Sequence, residues 1–313
     1  MRKIIIDTDP GQDDALAMMT AFGAKQDLNV LGVTCVAGNV PLDLTSVNAL
    51  KICELSGLFS VPVFRGSSAP LKRKLTTAEH VHGKTGLDGT DLSVKKKKLE
   101  PTDAVDFIIE CTKKFKDEKI TICALGPLTN VAKALKKDSV LTESIEEIVL
   151  MGGGFFEGGN ITPAAEFNIY VDPEAAKIVL ESGLKITILP LDVTHKTLVQ
   201  RDFLEKLRKS GKNSAIQAAK LLDFFERYDV EKYGSQGGPL HDPNVIVYLL
   251  NPEIYSGRLV NVEVEVGSDL TRGMTVVDWW NVTDRPPNAY YINEVKENKF
   301  FEIVLNNVLN LEI

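Results

Sequence analysis

Near its start the chain reads Ile4-Ile5-Ile6-Asp7-Thr8-Asp9-Pro10-Gly11-Gln12-Asp13-Asp14. The three isoleucines predict a first buried strand, since the apolar run is too short for a signal-peptide core or a membrane span. Pro10-Gly11 predicts a tight turn, and the apolar residues after Asp14 predict a helix. That helix would point its positive N-terminal end back at the acids. The stretch therefore predicts a strand, a turn and a helix with a cluster of carboxylates between them.

The alternation of strand and helix continues to about residue 195. Short apolar, β-branched runs predict strands, and longer amphipathic stretches between several of them predict helices. This order predicts an α/β fold with a mainly parallel central sheet that is flanked by helices on both faces. Ligands of such sheets bind beyond the carboxyl ends of the strands, where the strand-to-helix loops gather. The predicted strands are residues 3–7, 30–36, 62–64, 120–124, 148–151 and 185–189, and the predicted helices are 13–22, 42–55, 104–115, 129–136 and 173–181.

After about residue 195 the pattern changes to consecutive helices, then two or three strands and a final helix. This helical and short-strand C-terminal region could form a cap on the main sheet. At 313 residues the chain is long enough for one large α/β domain, and no linker forces a split. We therefore predict a single domain over residues 1–313. The predicted helices of the C-terminal region are residues 197–209, 213–227, 243–250 and 299–311.

Composition and charge limit the class of partner. A hydrophobic content of 44% and a charged content of 25% are typical of a soluble globular protein. The net charge of −7 argues against a protein that binds nucleic acid or an anionic membrane through its general field. The four cysteines lie far apart without paired spacing, which favours a reducing compartment over disulfides or a zinc site. We therefore expect a cytoplasmic protein.

The carboxylates of Asp7, Asp9, Asp13 and Asp14 fall within eight residues. They repel one another, so placing them at a strand end costs stability unless a cation or hydrogen-bond donors compensate. A hard metal ion with oxygen ligands is the natural compensation. The alternative is that Asp13 or Asp14 only caps the helix, although capping needs one acid rather than four.

Two other motifs begin with a similar acidic pattern. An EF-hand calcium loop requires Gly at its sixth position and Glu at its twelfth, where this chain has Gln12 and Met18, so that motif is excluded. A phosphatase of the haloacid dehalogenase type also opens with two acids spaced like Asp7 and Asp9. Such enzymes usually have Thr or Val where this chain has Gly11. This alternative stays open on the local sequence.

Five segments together resemble the inosine-uridine type nucleoside hydrolase family. They are Asp7 to Asp14, Gly38-Asn39, Leu125-Gly126-Pro127-Leu128-Thr129-Asn130, Met151 to Asn168, and His241-Asp242-Pro243. The resemblance spans residues 4 to about 250, and its motifs occur in the family's order at near the family's spacing. It implies a Rossmann-like nucleoside hydrolase fold. It also implies an enzyme that hydrolyses the N-glycosidic bond of ribonucleosides to ribose and free base.

The resemblance implies a calcium site whose ligands are all oxygens, as calcium prefers. The protein ligands would be the carboxylates of Asp9, Asp14 and Asp242 and the backbone carbonyl of Leu125. A water and the 2′- and 3′-hydroxyls of ribose would complete the coordination. Calcium and Asp9 would together activate that water for attack on C1′, with Asp9 as the general base. Direct attack by water predicts inversion at C1′.

The resemblance also implies a set of residues that hold the substrate. Asp13 would bind the 2′-hydroxyl, and Asn160 and Glu166 would lie near the 5′-hydroxyl. Because buried polar groups that pair with hydroxyls reject analogues without them, deoxynucleosides should be poor substrates. The other implied contacts to the ribose are the polar side chains of Asn39 and Asn168 and the apolar side chains of Met151 and Phe167.

Two of the four histidines match family positions that line the site. His241 could donate a proton to the leaving base, and His82 could contact the base or assist. Tyr228 is the aromatic residue that we expect to reach the base. The remaining histidines and nearby aromatic residues are expected to be structural or loop residues: His80, His195, Phe224, Phe225 and Tyr233.

Substrate preference and rival functions stay open at this point. Histidine at both 82 and 241 leans towards a broad or pyrimidine-preferring enzyme. Family members are commonly homotetramers or homodimers, so we expect a homo-oligomer that binds a small nucleoside and neither nucleic acid nor a membrane. The rival functions are a magnesium-dependent phosphatase with Asp7 as nucleophile, and a non-catalytic protein that binds ribose or a nucleoside. Release of free base from a nucleoside would distinguish these functions.

Overall fold

The structure, a computed structural model, describes residues 1–311 apart from the side chain of Tyr233. The strands are β1 (Arg2–Thr8), β2 (Leu28–Cys35), β3 (Val63–Arg65), β4 (Ile120–Ala124), β5 (Ile145–Met151), β6 (Ile186–Leu189), β7 (Tyr255–Val260), β8 (Val262–Val264), β9 (Thr275–Val277) and β10 (Ala289–Val295). The helices are α1 (Gln12–Gly23), α2 (Leu42–Leu55), α3 (Glu79–His82), α4 (Ala104–Lys114), α5 (Thr129–Lys137), α6 (Phe167–Val171), α7 (Pro173–Leu180), α8 (Leu191–Thr194), α9 (Arg201–Lys209), α10 (Asn213–Tyr233), α11 (Pro243–Leu250) and α12 (Glu297–Leu309), with 3₁₀ turns at Ser139–Glu143 and Pro252–Ile254.

The central sheet has eight strands in the order β3-β2-β1-β4-β5-β6-β10-β7. All neighbouring pairs in it are parallel except β10 and β7, and β8 and β9 form a separate antiparallel pair. The predicted α/β fold with a mainly parallel sheet is confirmed. The strand order reverses between β1 and β4, and ligands of open α/β sheets bind at the carboxyl ends of the strands at such a point.

The isoleucines of β1 show why helices cover both faces of the sheet. Ile4, Ile5 and Ile6 are fully buried. Ile4 and Ile6 belong to one hydrophobic cluster and Ile5 belongs to the other, because successive side chains of a strand point to opposite faces. The sequence of a strand that is buried on both faces is a continuous run of apolar residues. The first strand was predicted on this basis.

The C-terminal half differs from the prediction in three respects, the first being that it has four strands, β7 to β10, where two or three were predicted. Strands β7 and β10 do not cap the sheet, since β10 pairs with β6 and β7 pairs with β10 to complete its edge. The predicted helix over residues 197–209 begins only at Arg201. Residues 197–199 run beside 238–240 instead, with Leu240 N donating to Thr197 O at 2.9 Å and Val199 N donating to Gly238 O at 3.0 Å. These long-range hydrogen bonds replace the helical ones.

The helices of the described chain include none that combines the length and the apolar character needed to span a bilayer.

Candidate active site

A cavity of about 450 Å³ opens at the carboxyl ends of the strands around the β1–β4 switch point. Of the fourteen residues predicted for the site, two are buried beside the cavity rather than lining it, namely Asp9 and Asp14. The other twelve line it: Asp13, Asn39, His82, Leu125, Met151, Asn160, Glu166, Phe167, Asn168, Tyr228, His241 and Asp242. The structure therefore brings residues from positions 9 to 242 into one place.

The carboxylate of Asp9 is held through one oxygen only. Its Oδ2 accepts a hydrogen bond from Asn39 N at 2.7 Å, while its Oδ1 is buried without a hydrogen-bond partner. Gly38 and Gly126 pack against this carboxylate so closely that a Cβ atom at either position would overlap with it. Glycine at these two positions makes room for the acid at the sheet edge. Burial, followed by repulsion from Asp14, raises the pKa of Asp9.

Asp14 is saturated with hydrogen-bond donors. Its Oδ1 accepts from Thr8 Oγ1 at 2.5 Å and from Asp9 N at 3.3 Å. Its Oδ2 accepts from Gly11 N at 3.0 Å and from Asn39 Nδ2 at 3.1 Å. The bond from Gly11 N caps the first turn of α1, so the capping alternative is correct for Asp14. It does not explain the other three acids of the stretch.

Three carboxylates form a compact cluster, of which Asp13 and Asp242 line the cavity and Asp14 lies beside it. Oxygens of Asp13, Asp14 and Asp242 lie within 4.8 Å of one another, and Oδ1 of Asp13 is buried without a partner. Burial, followed by repulsion from Asp14, raises the pKa of Asp13 to about 8. Burial, followed by repulsion from Asp13, raises the pKa of Asp242. Among the described residues that line the cavity, none is Lys or Arg. This arrangement fits a divalent cation, which would neutralise the acids.

Asn168 and Glu166 organise the opposite wall. Asn168 Nδ2 donates to the backbone carbonyl of Leu125 at 2.7 Å and to that of Met151 at 3.2 Å, which joins the ends of β4 and β5. The Glu166 carboxylate accepts from the main-chain nitrogens of Asn168, Gly153 and Ile169 at 2.9, 3.0 and 3.1 Å. These donors favour the charged form, but burial outweighs them and raises the pKa of Glu166 to about 7.

The histidines of the cavity lie in apolar surroundings. His82 Nδ1 is 2.8 Å from Gln12 Oε1, and its ring stacks on Phe225 with the centroids 5.6 Å apart. Burial lowers the pKa of His82 to about 3. His241 Nδ1 is 2.8 Å from Thr194 Oγ1, and burial, helped by the charge of nearby histidines, also lowers the pKa of His241. In both histidines burial favours the neutral imidazole.

Helix α8, which follows β6, carries functional contacts that we did not predict. The buried carboxylate of Asp192 accepts from Phe155 N at 3.0 Å, Glu157 N at 2.7 Å and Tyr291 Oη at 2.5 Å, so it fixes a loop that reaches the cavity. His195, expected to be structural, lines the cavity and has Nδ1 3.1 Å from Glu157 Oε2. The sequence feature that could have indicated these contacts is the position of this segment at the carboxyl end of a parallel strand, where ligand sites lie.

The other aromatic and histidine residues are divided between cavity and core. Tyr228 lines the cavity, and its ring meets that of His80 edge-on at 5.3 Å. His80, expected to be a loop residue, and Phe225, expected to be a core residue, also line the cavity. Phe225 is at the same time almost fully buried. The side chain of Tyr233 lies outside the described residues.

Asp7 is not placed to act as a nucleophile. It is fully buried and is absent from the residues that line the cavity in the described chain. Its Oδ1 accepts from Thr34 Oγ1 at 2.6 Å and from Asn130 Nδ2 at 2.8 Å. The phosphatase alternative, which requires an accessible Asp7 and cationic residues for the phosphate, does not fit this arrangement.

Comparisons with known proteins agree on one family. Residues 4–302 match the family model described as inosine-uridine preferring nucleoside hydrolase. A Photobacterium profundum protein named pyrimidine-specific ribonucleoside hydrolase RihA is 43% identical over 310 residues, with 99% of each chain covered. The solved structure of a purine-preferring ribonucleoside hydrolase from Gardnerella vaginalis superposes with a TM-score of 0.92 at 31% identity, again with 99% of each chain covered. An uncharacterized protein of Schizosaccharomyces pombe is 46% identical over 306 residues, with 98% of each chain covered.

The family model covers nearly the whole chain. The two relatives named as ribonucleoside hydrolases align with this chain over nearly their full length. Family members use a divalent metal ion, and the aspartate cluster could hold one. The resemblance inferred from the sequence motifs is therefore confirmed. The chain belongs to the inosine-uridine preferring nucleoside hydrolase family and is an enzyme of the ribonucleoside hydrolase class.

Proposed function

We propose that this enzyme hydrolyses the N-glycosidic bond of ribonucleosides with calcium as its metal ion, Asp9 as general base and His241 as the group that assists the leaving base. The observation that carries the proposal is the buried cluster of Asp13, Asp14 and Asp242 with the buried Asp9 nearby, since Oδ1 of Asp9 and Oδ1 of Asp13 have no partner. The adjoining cavity is acidic and, within the described chain, lacks Lys and Arg. A neutral, hydroxyl-rich substrate suits it better than a phosphate ester does.

The carboxylates of Asp9, Asp14 and Asp242 and the carbonyl oxygen of Leu125 would hold the ion. An all-oxygen donor set supports calcium over a metal that prefers histidine or cysteine. When bound, the ion would supply positive charge that offsets the acids, favours deprotonation of water and attracts the ribose hydroxyls. Asn168 contributes by holding the carbonyl of Leu125 in place through its hydrogen bond.

Asp9 would accept a proton from the attacking water. The hydrogen bond from Asn39 N fixes Oδ2, and the carboxylate is then free to use Oδ1. A base must lie within hydrogen-bond reach of the proton that it takes. Oδ1 is the Asp9 oxygen that still has this capacity. As the water oxygen bonds to C1′, the C1′–N bond breaks and its electron pair moves onto the base.

The ribose would lie between two sets of polar residues. Asp13 would bind the 2′-hydroxyl, with Asn39 and Asn168 beside it, and Asn160 and Glu166 would lie near the 5′-hydroxyl. Positive charge builds on the sugar ring as the bond breaks. The acidic lining of the cavity would stabilise that charge, whereas Met151 and Phe167 would supply an apolar surface beneath the ring.

The leaving base gains the electrons of the broken bond and needs a proton or a strong hydrogen bond. His241 lines the cavity, and its Nδ1 is engaged by Thr194, which leaves Nε2 for the substrate. Since burial lowers the pKa of His241, we expect the neutral ring to act first as a hydrogen-bond donor. His82 and Tyr228 line the same cavity and would contact the base.

The base preference is proposed to be pyrimidine over purine. The relative named pyrimidine-specific is 43% identical to this chain, and the solved structure named purine-preferring is 31% identical. The presence of both His82 and His241 agrees with this preference. Uridine, cytidine, inosine, adenosine, 2′-deoxyuridine and uridine 5′-monophosphate should be assayed for released base and reducing sugar. Release of base from uridine supports nucleoside hydrolysis, and phosphate release without base release would overturn it. Faster release from uridine and cytidine than from inosine and adenosine supports the pyrimidine preference, and the reverse order would overturn that preference.

We also propose that the enzyme is a cytoplasmic homo-oligomer, either a tetramer or a dimer. Phe156 and Trp280 are 54% and 69% exposed, and exposed apolar side chains of this size commonly mark protein interfaces. Phe156 packs edge-on against Trp279, and the guanidinium of Arg258 lies over both tryptophan rings. Light scattering coupled to size-exclusion chromatography tests this proposal, and a monomer at micromolar concentration would contradict it.

A further inference from the structure

Thr194 and His241 come from distant parts of the chain and meet behind the cavity. Thr194 is fully buried at the C-terminal end of α8, and its Oγ1 lies 2.8 Å from Nδ1 of His241. The two residues are 47 positions apart, so no local turn imposes the contact. A buried hydroxyl must find a partner, and Thr194 finds it in the imidazole ring.

The main chain beside His241 is held independently of the Thr194 hydroxyl. Leu240 N donates to Thr197 O at 2.9 Å, and Val199 N donates to Gly238 O at 3.0 Å. Asn244 Nδ2 donates to the carbonyl of Leu240 at 2.6 Å. These bonds fix where the backbone of His241 lies. They do not fix how its ring is turned.

The orientation of an imidazole ring depends on what its two nitrogens contact. The torsion that turns the ring has broad, roughly two-fold preferences, so packing alone defines it poorly. The hydrogen bond made by one nitrogen determines which tautomer the ring adopts and what the other nitrogen presents. A threonine hydroxyl can donate or accept, so it can hold Nδ1 in either tautomer. With Nδ1 bound to Thr194, Nε2 is the nitrogen left for the cavity.

We propose that Thr194 is a positioning residue, whose hydroxyl fixes the ring of His241 with Nε2 facing the leaving base. The inference rests on the proposed role of His241 and adds a residue to it. Thr194 does not line the cavity in the described structure, so it acts through His241 and not on the substrate. An isosteric side chain without the hydroxyl would preserve the packing of α8 and release the ring.

Thr194→Val removes the hydroxyl at nearly constant volume. With uridine, we expect kcat to fall by about 10- to 100-fold, by analogy with the loss of a hydrogen-bond partner that orients a metal-binding histidine. With p-nitrophenyl riboside, whose leaving group needs no proton, we expect a change of less than about threefold. Thr194→Ser keeps the hydroxyl and should restore most of the activity on uridine.

Thr197→Val is the matched control. Thr197 is equally buried in the same segment, and its hydroxyl bonds to the backbone carbonyls of Thr194 and Leu240 and to Asn244 without touching the ring of His241. We expect this variant to lose thermal stability and to treat both substrates alike. If it shows the same selective loss on uridine as Thr194→Val, the effect is one of general loosening and the proposal is wrong.

A double-mutant cycle gives a second, independent test. Once His241 is alanine, Thr194→Val should slow uridine cleavage no further, because the ring that it positions is gone. If the fold-losses in kcat caused by the two substitutions multiply in the double variant, Thr194 acts elsewhere and the proposal is overturned. Base release by wild-type enzyme tests the proposed function separately. Should Thr194→Val fail to fold, Thr194→Ala enters the same cycle.

Discussion

Oδ2 of Asp9 lies 2.7 Å from the main-chain nitrogen of Asn39, and this bond leaves Oδ1 of Asp9 as a buried oxygen without a partner. An unpaired carboxylate oxygen in a buried position costs free energy unless something binds it. The protein sustains that cost at the point where the strand order reverses. The asymmetry between the two oxygens identifies the one that is available for chemistry.

Replacing Asp9 with asparagine should separate base catalysis from folding. Asparagine keeps the size of the side chain and one oxygen, but it cannot accept the proton of the attacking water. We expect Asp9→Asn to lower kcat by a factor of at least roughly 100 on uridine, with nucleoside binding retained. Steady-state kinetics and equilibrium binding measure the two quantities.

Asp7→Asn is the control for that experiment. Asp7 lies two positions earlier, within β1, is also buried, and bonds to Thr34 and Asn130 without lining the cavity. We expect this variant to change stability more than kcat. If Asp9→Asn kept a kcat near that of wild type while Asp7→Asn lost it, the base would have been assigned to the wrong carboxylate.

Calcium should both activate and stabilise the enzyme. Thorough chelation should abolish base release, and added calcium should restore it. Because an ion that binds only the folded protein stabilises it, calcium at 100 times its Kd should add about 2.7 kcal/mol to the free energy of unfolding. Asp242→Asn should reduce this stabilisation by calcium. Full turnover by verified metal-free protein would refute the metal site.

The acid cluster and the sheet could be predicted because their signals are local. Three isoleucines followed by acids and Pro10-Gly11 identify a buried strand, a turn and a helix within a few residues. Parallel strands bring their carboxyl ends to one edge, so the loops after them gather. The family motifs then add Glu166 and His241, whose distance along the chain from Asp9 gives no spatial information by itself.

The contacts made by α8 could not be predicted in this way. Asp192 and Thr194 have partners more than 30 residues away, and no periodic pattern encodes such a pairing. The same reason applies to residues 197–199, whose helical sequence pattern is overridden by hydrogen bonds to 238–240. The position of β10 between β6 and β7 is likewise a matter of sheet order, which local sequence does not specify.

Glu166 should make stability depend on pH in a defined direction. Burial raises its pKa from the ordinary 4.5 to about 7, so the folded protein favours the protonated form. The stabilisation from that proton is fully present below pH 4.5 and is lost as the pH rises through about 7. The free energy of unfolding of wild type relative to Glu166→Gln should therefore fall by on the order of 3 kcal/mol between pH 4.5 and 8.

Urea unfolding of both proteins at several pH values and fixed free calcium measures this difference. Glutamine does not titrate, so groups that are common to both proteins cancel when one free energy is subtracted from the other. A constant offset between the two is expected from the altered hydrogen bonds to Gly153 and Ile169. A difference that stays flat across the window would mean that Glu166 is charged in the folded protein.

The role of His241 in the departure of the base can be tested by replacing His241 itself. A pyrimidine anion leaves poorly unless a proton or strong hydrogen bond reaches it, whereas p-nitrophenolate leaves unaided. His241→Ala should therefore slow uridine cleavage by a factor of roughly 100 or more and change p-nitrophenyl riboside cleavage much less. Both substrates share the ribose contacts and the activation of water by Asp9. The ratio of the two kcat values therefore isolates the departure of the base.

His82→Ala is the comparison variant, because His82 lies in the wall of the same cavity and burial lowers its pKa too. Its ring stacks on Phe225 and bonds to Gln12. Loss of this ring should therefore change the KM for uridine more than it changes the ratio of the kcat values for uridine and p-nitrophenyl riboside. If His241→Ala reduced both substrates equally, His241 would support Asp242 or the shape of the cavity instead. A selective loss in His82→Ala would then transfer the leaving-group role to His82, and if neither variant showed it, Tyr228 would be the next residue to replace.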